Sequence, residues 1–384
     1  MQNAIQTAYP NQKIGNLQMI RTISLKNSGI KIAIDIYEIL KIAIMVLAMK
    51  NNDEVWLLLD SKSNGGIETH ILQLATGLQQ RNIKVKVIFL NNFGPHPLRD
   101  DLNKQSVDNE SLDGKISTLR NKLKYNSPKI LHTHGYKAGI LGKIISRMES
   151  IPVVSTYHSG DKGTGKLYLY GLIDRITSCI SNKNYAVSQD ISRSLIGPSE
   201  ILNNFISMDN INMSRGSRIA YVGRISEEKG PDIFIRLAKQ LPNTDFFLYG
   251  DGPSLASLQQ SKPHNAYFLG KKNSMAPYWN DISLLIMPSR QEGLPLAAIE
   301  AMARGIPVLA SNVGQLGQLI CHKSNGWLVD VGDIKHLMKY TTEWLMMPLN
   351  EKNKIRHAAR QIVESEFSSA AIIPSIIHSY NEIA

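Results

Sequence analysis

A chain of 384 residues with 43% hydrophobic content and 27 glycines carries core enough for two globular domains, which excludes a disordered or fibrous protein. Its two cysteines, Cys179 and Cys321, form no CxxC and no even framework; that excludes a disulfide scaffold or structural zinc and favours a reducing, cytosolic setting. The net charge of +11 is lopsided, with 25 Lys/Arg against 16 Asp/Glu in residues 1–200 and 18 against 16 in the remainder.

In chain order, the first long apolar stretch is Ile30–Met49, and Lys31, Asp35, Glu38 and Lys41 interrupt it. It lacks the roughly 18 uncharged residues of a spanning helix and a small-residue cleavage site, so neither an anchor nor a signal peptide is expected. From Met49 onward, "MKNNDEVWLLLD" reads as the opening strand of an α/β domain. Residues 1–48 are therefore expected to be a dispensable extension, translated from an early start codon.

From Val55, short apolar runs alternate with amphipathic helices: "VWLLLD", a helix with Ile67, Ile71, Leu74 and Leu78 on one face, "KVKVIFL", "KILHTH", "AGILGKIISR" and "IPVVSTYH". Runs without polar alternation imply strands buried on both faces of a parallel sheet. Between Gly114 and Met148 stand eight cations and no acid, with Ile116, Leu119 and Leu123 at helical spacing. That pattern fits a solvated helix face or attraction to an anionic membrane surface. Nucleic acid is not expected, because no aromatics interleave with the cations. The polar stretch Asn203–Arg218 reads as a linker, after which the alternation restarts with "RIAYVGR", "PDIFIRLAKQL", "DFFLYG", "AYFLG", "ISLLIMPS", "PLAAIEAMARG" and "IPVLAS". Pro231 and Pro295 suit first helical turns, and Gly305 a helix end. The expected fold class is α/β, with two doubly wound domains whose ligands bind at the carboxyl ends of the strands.

Several motifs lie at those ends. "NGGIE" (Asn64–Glu68) is a tight turn or a place where backbone amides approach a phosphate. "GDKGTGK" (Gly160–Lys166) mimics a phosphate-binding loop, but Leu167 replaces the hydroxyl that would hold Mg²⁺, so it reads as a glycine-rich loop beside a site. His134 and His158 end neighbouring strands. They are structural or substrate-facing, and no further ligand spacing completes a metal set around them. Arg224 and Lys229 flank a helix N-terminus, where cations are unfavourable unless an anion sits between them or Glu227 and Glu228 pair with them.

Glu292 and Glu300, with seven residues between them, resemble an acid/base pair. Eight helical steps rise ~12 Å, whereas retaining and inverting hydrolases need roughly 5 Å and 6.5–9.5 Å. The spacing instead suits two ends of one elongated ligand. Gly293 and Leu294 would offer amides to a phosphate, Glu300 would meet a ribose, and Glu292 the hydroxyls beyond the phosphate. A nucleotide-sugar has that order.

From about Val55 to Tyr380 the sequence resembles the family-4 retaining glycosyltransferases of GT-B fold, on "GGIE", "LHTHGYKAGILGK", "STYHSG", "NYAVSQDISRSL", "YVGRISEEKGPD", "YGDGP", "MPSRQEGLPLAAIEAMARGIPVLASNVGQLGQLI" and "NGWLV". The resemblance implies two Rossmann-like domains facing across a cleft: an acceptor-side domain at 49–205, a nucleotide-sugar domain at 206–365, and a closing helix at 366–384 that crosses back. It implies that Arg224 and Lys229 hold the donor diphosphate and Glu300 the ribose. Glu292 with Gly293, Leu294 and Pro295 would hold the sugar and α-phosphate, Gly65 and Gly66 would approach the phosphates, and His158 would lie beside the transferred sugar. "NNFI" (Asn203–Ile206) stands where the family has Asn-Gly followed by Ile or Val.

The implied reaction is metal-independent transfer with retention of configuration, from a UDP-sugar serving as co-substrate, with no cofactor. The implied acceptor is a lipid-linked or polysaccharide glycan of the cell surface, met at the cytoplasmic membrane face with the basic stretch 114–148 as a peripheral contact. A nucleotide-sugar epimerase and a non-catalytic binding subunit are the alternative readings.

Overall fold

The computed structural model describes residues 52–62, 65–158 and 165–384. The expectations for residues 1–48, for Asn64 and for Gly160–Thr164 lie outside the described residues. Two parallel sheets dominate. The first contains β1 (Asn52–Leu59), β2 (Val85–Phe89), β3 (Asp108–Ser111), β4 (Pro128–His134), β5 (Val153–Tyr157), β6 (Lys183–Ala186) and β7 (Glu200–Ile201), in the order β3-β2-β1-β4-β5-β6-β7. The second contains β8 (Arg218–Val222), β9 (Phe246–Tyr249), β10 (Ala266–Gly270), β11 (Ile282–Met287), β12 (Val308–Ser311) and β13 (Gly326–Val329), in the order β10-β9-β8-β11-β12-β13.

The uninterrupted apolar runs follow from this arrangement, because successive side chains of a strand face opposite sides. In β1, Val55, Leu57 and Leu59 join Ile71, Leu74 and Leu78 of the helix Gly66–Gln79. Trp56 and Leu58 face the other way, against Leu119, Leu123, Ala138 and Ile145. The second sheet repeats the division, with Ile219, Tyr221, Leu284 and Ile286 on one face and Ala220, Leu285 and Met287 on the other.

The chain passes between the two halves twice. Phe205 is buried in the core of the first half and its neighbour Ile206 in that of the second, so the polar-looking linker is packed. Ile206 also bridges to Ser368. The return begins just after Phe367, which belongs to the second core; the helix Ser369–Ile383 then carries Ile373, Ile376 and Tyr380 into the first. A Cβ on Gly77 would stand 2.9 Å from the Ile373 side chain, so glycine admits the returning helix.

The basic stretch is more neutral than its sequence. Its partners come from outside it: Lys115 pairs with Asp113, Arg120 with Glu149, and Lys122 with Glu110. Lys143 is fully buried against Asp174. In the helix Ile116–Tyr125, Leu119 and Leu123 are buried but Ile116 is exposed, so the apolar face is narrower than the spacing suggested. Among the described residues no helix is long and apolar enough to cross a membrane.

Candidate functional site

In the second half, the loops after β8 and β11 meet, because those strands are neighbours. The loop after β8 makes the 3₁₀ turn Glu227–Lys229 and enters the helix Pro231–Gln240 through Gly230, whose φ of +64° brings it under Pro288. A Cβ at Gly230 would lie 2.1 Å from the Pro288 carbonyl oxygen. This contact carries Lys229 to Glu292: Nζ donates to Oε2 at 2.6 Å, while Ser289 Oγ donates to Oε1 at 2.9 Å. The Glu292 side chain is only 3% exposed. Lys229 therefore does not pair with Glu227 or Glu228. Glu228 is engaged by the Ser226 hydroxyl, and its carbonyl accepts the amides of Arg290 and Gln291. Arg290 in turn grips Asp232 with both terminal nitrogens, at 2.8 and 2.7 Å, riveting the two loops together.

Beyond Glu292 the turn Gly293–Pro295 leads into the helix Leu296–Ala303, with Pro295 as its cap. Among the described residues the amides of Gly293 and Leu294 have no hydrogen-bond acceptor, so both are available to a ligand. The Leu294 side chain is buried, and its carbonyl accepts from Asn204 Nδ2 at 2.7 Å, which seats the "NNFI" segment against the turn. Gly314, at φ +60°, packs over the same turn, where a Cβ would stand 2.2 Å from the Glu292 carbonyl oxygen.

Arg224 follows β8; its side chain is exposed and forms no ion pair among the described residues. Its carbonyl accepts from the Tyr221 hydroxyl at 2.6 Å, which fixes the backbone and leaves the guanidinium available. Glu300 lies one turn inside its helix, which begins only at Leu296, so the eight steps from Glu292 are not all helical. Trp279 Nε1 donates to Glu300 Oε2 at 2.9 Å. Burial pushes the Glu300 carboxyl above the usual range, while the Trp279 N–H and the Arg304 charge act in the opposite direction. A cavity of about 340 Å³ spans both halves here, lined by Glu68, Gln73, Ile206, Lys272, Glu300 and Arg304.

On the first half, Gly65 caps the helix Gly66–Gln79, and a Cβ on Gly66 would meet nothing within 4 Å, so packing does not demand that glycine. His158 follows β5, half-buried, with Nε2 3.1 Å from His134 Nδ1. The fold brings a third histidine, from a distant helix, to these two: His70, His134 and His158 each place one ring nitrogen within 4.8 Å of the others. His132 adjoins them, bonded to the Tyr380 hydroxyl at 2.6 Å and Thr156 Oγ1 at 2.7 Å. Burial drives all four toward the neutral form, His70 to about 4. Neither ring nitrogen of His70 has a partner among the described residues. Periodicity held the signal for His70, three residues after Ile67 and four before Leu74 on the buried face.

The model of the glycosyl transferases group 1 matches residues 210–362, and that of glycosyltransferase family 4 matches residues 64–200. The chain belongs to these glycosyltransferases. The glycosyltransferase is 26% identical over 287 residues to the Escherichia coli UDP-Gal:alpha-D-GlcNAc-diphosphoundecaprenol alpha-1,3-galactosyltransferase, covering 62% of this chain and 74% of that one. It is also 26% identical over 306 residues to an uncharacterized 41.2 kDa protein in the cps region of Klebsiella pneumoniae, covering 70% and 83%. Among solved structures it superimposes on Anabaena HepE in complex with UDP and glucose with a TM-score of 0.74 at 18% identity, covering 86% of this chain and 100% of that one. The shared fold is GT-B.

Proposed function

We propose that the glycosyltransferase moves a sugar, with retention of configuration and without a metal, from a UDP-sugar to a lipid-linked or polysaccharide acceptor in cell-surface glycan synthesis. The observation that carries the reading is the contact of Lys229 with buried Glu292, beside two unpaired amides at the end of β11. Lys229, Arg224 and the amides of Gly293 and Leu294 stabilise the charge that grows on the leaving diphosphate. Glu292 orients the sugar hydroxyls, Glu300 takes the ribose, and His158, held neutral by burial, faces the sugar from the other half. Gly65 and Gly66 let the first half close on the phosphates. No strong base is required, because the departing phosphate accepts the acceptor's proton. The acceptor class is supported by the likeness to the E. coli enzyme, whose name specifies a diphosphoundecaprenol-linked sugar, and the donor nucleotide by the UDP in the Anabaena complex.

The test is incubation of the chain with UDP-, GDP- and ADP-sugars and a polyprenyl-diphosphate-sugar acceptor, with and without EDTA. The expected outcome is a disaccharide product of unchanged anomeric configuration, formed equally with chelator present. Release of a new UDP-sugar without acceptor would identify an epimerase instead.

A further inference from the structure

The helix Lys166–Ile176, which follows the glycine-rich loop on the first half, is built inside out. An ordinary surface helix buries its apolar stripe and exposes its polar face. Here Tyr168, Leu169, Leu172 and Ile176 are exposed on the side away from Asp174, and Leu167 and Tyr170, seven and four residues before Asp174, are exposed on the first turn, by 40–59% in all. The buried side is polar. Asp174, the one acid in the helix, turns inward, where Lys143 Nζ donates to its Oδ1 at 2.7 Å and to its carbonyl at 2.8 Å. Lys143 also donates to the Tyr157 hydroxyl at 2.8 Å. Gly139 on the facing helix Tyr136–Glu149 permits this approach, since a Cβ there would stand 2.4 Å from Asp174 Oδ1. Four polar groups thus replace the usual apolar stripe as the anchor.

The facing helix also exposes Ile144 and Met148. Arg147 is exposed on the same helix, and Arg175 is half-buried on the other. Neither arginine forms an ion pair among the described residues, whereas the nearby acids are spent, Asp174 on Lys143 and Glu149 on Arg120. An exposed apolar face of this extent, with two tyrosines and an unneutralised cationic rim, has the chemistry of an interfacial helix seated on anionic lipid.

We propose that the helix Lys166–Ile176, with Ile144, Arg147 and Met148, is the surface by which this protein docks on an anionic lipid bilayer. The purpose of the surface, though not its existence, rests on the lipid-linked acceptor proposed above. Docking here would hold His158, at the end of β5, near the membrane plane. Within the basic stretch Arg147 then contributes, whereas Lys115, Lys122 and Lys143 are paired with Asp113, Glu110 and Asp174.

The experiment is co-sedimentation of the full chain with vesicles of phosphatidylcholine alone, and of phosphatidylcholine mixed equally with phosphatidylglycerol. The wild type is expected to partition onto the anionic vesicles, and the triple variant Leu167→Glu, Leu169→Glu, Leu172→Glu to bind at least ~100-fold more weakly. Arg147→Glu is expected to weaken binding about 5–10-fold, and added salt to do the same. Undiminished binding by the triple variant overturns the proposal, as does a wild type that ignores both vesicles but sediments as a dimer that the triple variant dissociates. So does loss of binding on deletion of residues 1–51 alone. Should the triple variant misfold, Leu169→Cys bearing an environment-sensitive dye, in a chain with Cys179 and Cys321 changed to serine, replaces it. A blue shift with anionic vesicles supports docking, and an unchanged spectrum overturns it. Transfer to a soluble acceptor is measured in parallel: vesicle binding without transfer overturns the proposed reaction alone, and transfer without vesicle binding overturns the docking surface alone.

Discussion

Acid should weaken this protein through His70 in a way that one substitution can remove. Burial lowers the His70 pKa to about 4 from its ordinary 6.5, because the charged ring would lie in the core with neither nitrogen bonded to a described group. The folded-state value is depressed, so the unfolded chain binds the proton more readily. Stability is fully present above the unfolded pKa and is lost as pH falls from 6.5 toward about 4. At about pH 5 the unfolded ring is almost wholly protonated and the folded one almost wholly neutral, which corresponds to about 2 kcal/mol from this residue. That is roughly 4–8 °C in the midpoint of thermal unfolding. His132, His134 and His158 are shifted in the same direction and add to the slope. His70→Leu removes the titrating ring without orphaning a hydrogen-bond partner, so it should be tolerated at neutral pH. Melting both proteins from about pH 7.5 to about pH 5 gives the test. The wild type should lose about 2 kcal/mol more than the variant across that interval. Equal losses would refute the argument.

Trp279→Phe should free the Glu300 carboxylate from its indole N–H and raise the KM for the donor several-fold while leaving kcat within about twofold, as steady-state kinetics would reveal. A fall in kcat alone would show that Trp279 acts elsewhere. Gly314→Ala should lower stability by about 1–3 kcal/mol, since its positive φ and the nearby Glu292 carbonyl both exclude a Cβ, and calorimetry would detect the loss. An unchanged midpoint would mean that the turn yields freely.

The sheets were legible in the sequence wherever both faces of a strand are buried. β1, β2, β4, β5 and β8 to β12 declare themselves as apolar runs. The edge strands of the first sheet do not, although β10, at the edge of the second, is apolar enough to be read. β3 is "DNES", and it pairs with β2 at the sheet margin, where Lys86 meets Asp108, so burial imposes no apolar pattern on it. Phe205 and Ile206 were hidden because a residue-by-residue alternation between two separate cores has no period. The strand-end location of Arg224, Lys229, Glu292 and His158 could be read from the alternation alone. The pairing of Lys229 with Glu292 across 63 residues could not, because neighbouring positions in the sheet, rather than spacing along the chain, create it. His70 was accessible in principle from its helical face, and Asp174 was not, since nothing local signals that an acid beside exposed leucines turns inward.

The two cations proposed to hold the diphosphate differ in what else depends on them, and the difference separates binding from folding. Arg224 is exposed with no ion pair among the described residues, so Arg224→Ala should depress turnover and leave the melting temperature unchanged. Lys229 has two tasks. It neutralises Glu292, whose side chain is 3% exposed, and an ammonium with three N–H groups can keep that bond while donating to a phosphate. Lys229→Ala therefore strands a buried carboxylate. Breaking a fully buried pair costs about 3–5 kcal/mol, and the 30% exposure of the Lys229 side chain reduces this to roughly 1–2. Turnover should fall on the order of 10²–10³-fold in either single variant. Adding Glu292→Gln to Lys229→Ala removes the stranded charge, so the double variant should regain most of the lost stability and none of the turnover. A double variant no more stable than Lys229→Ala would show that Glu292 does not need its counter-ion, and the assignment of Lys229 as both anchor and phosphate ligand would fall.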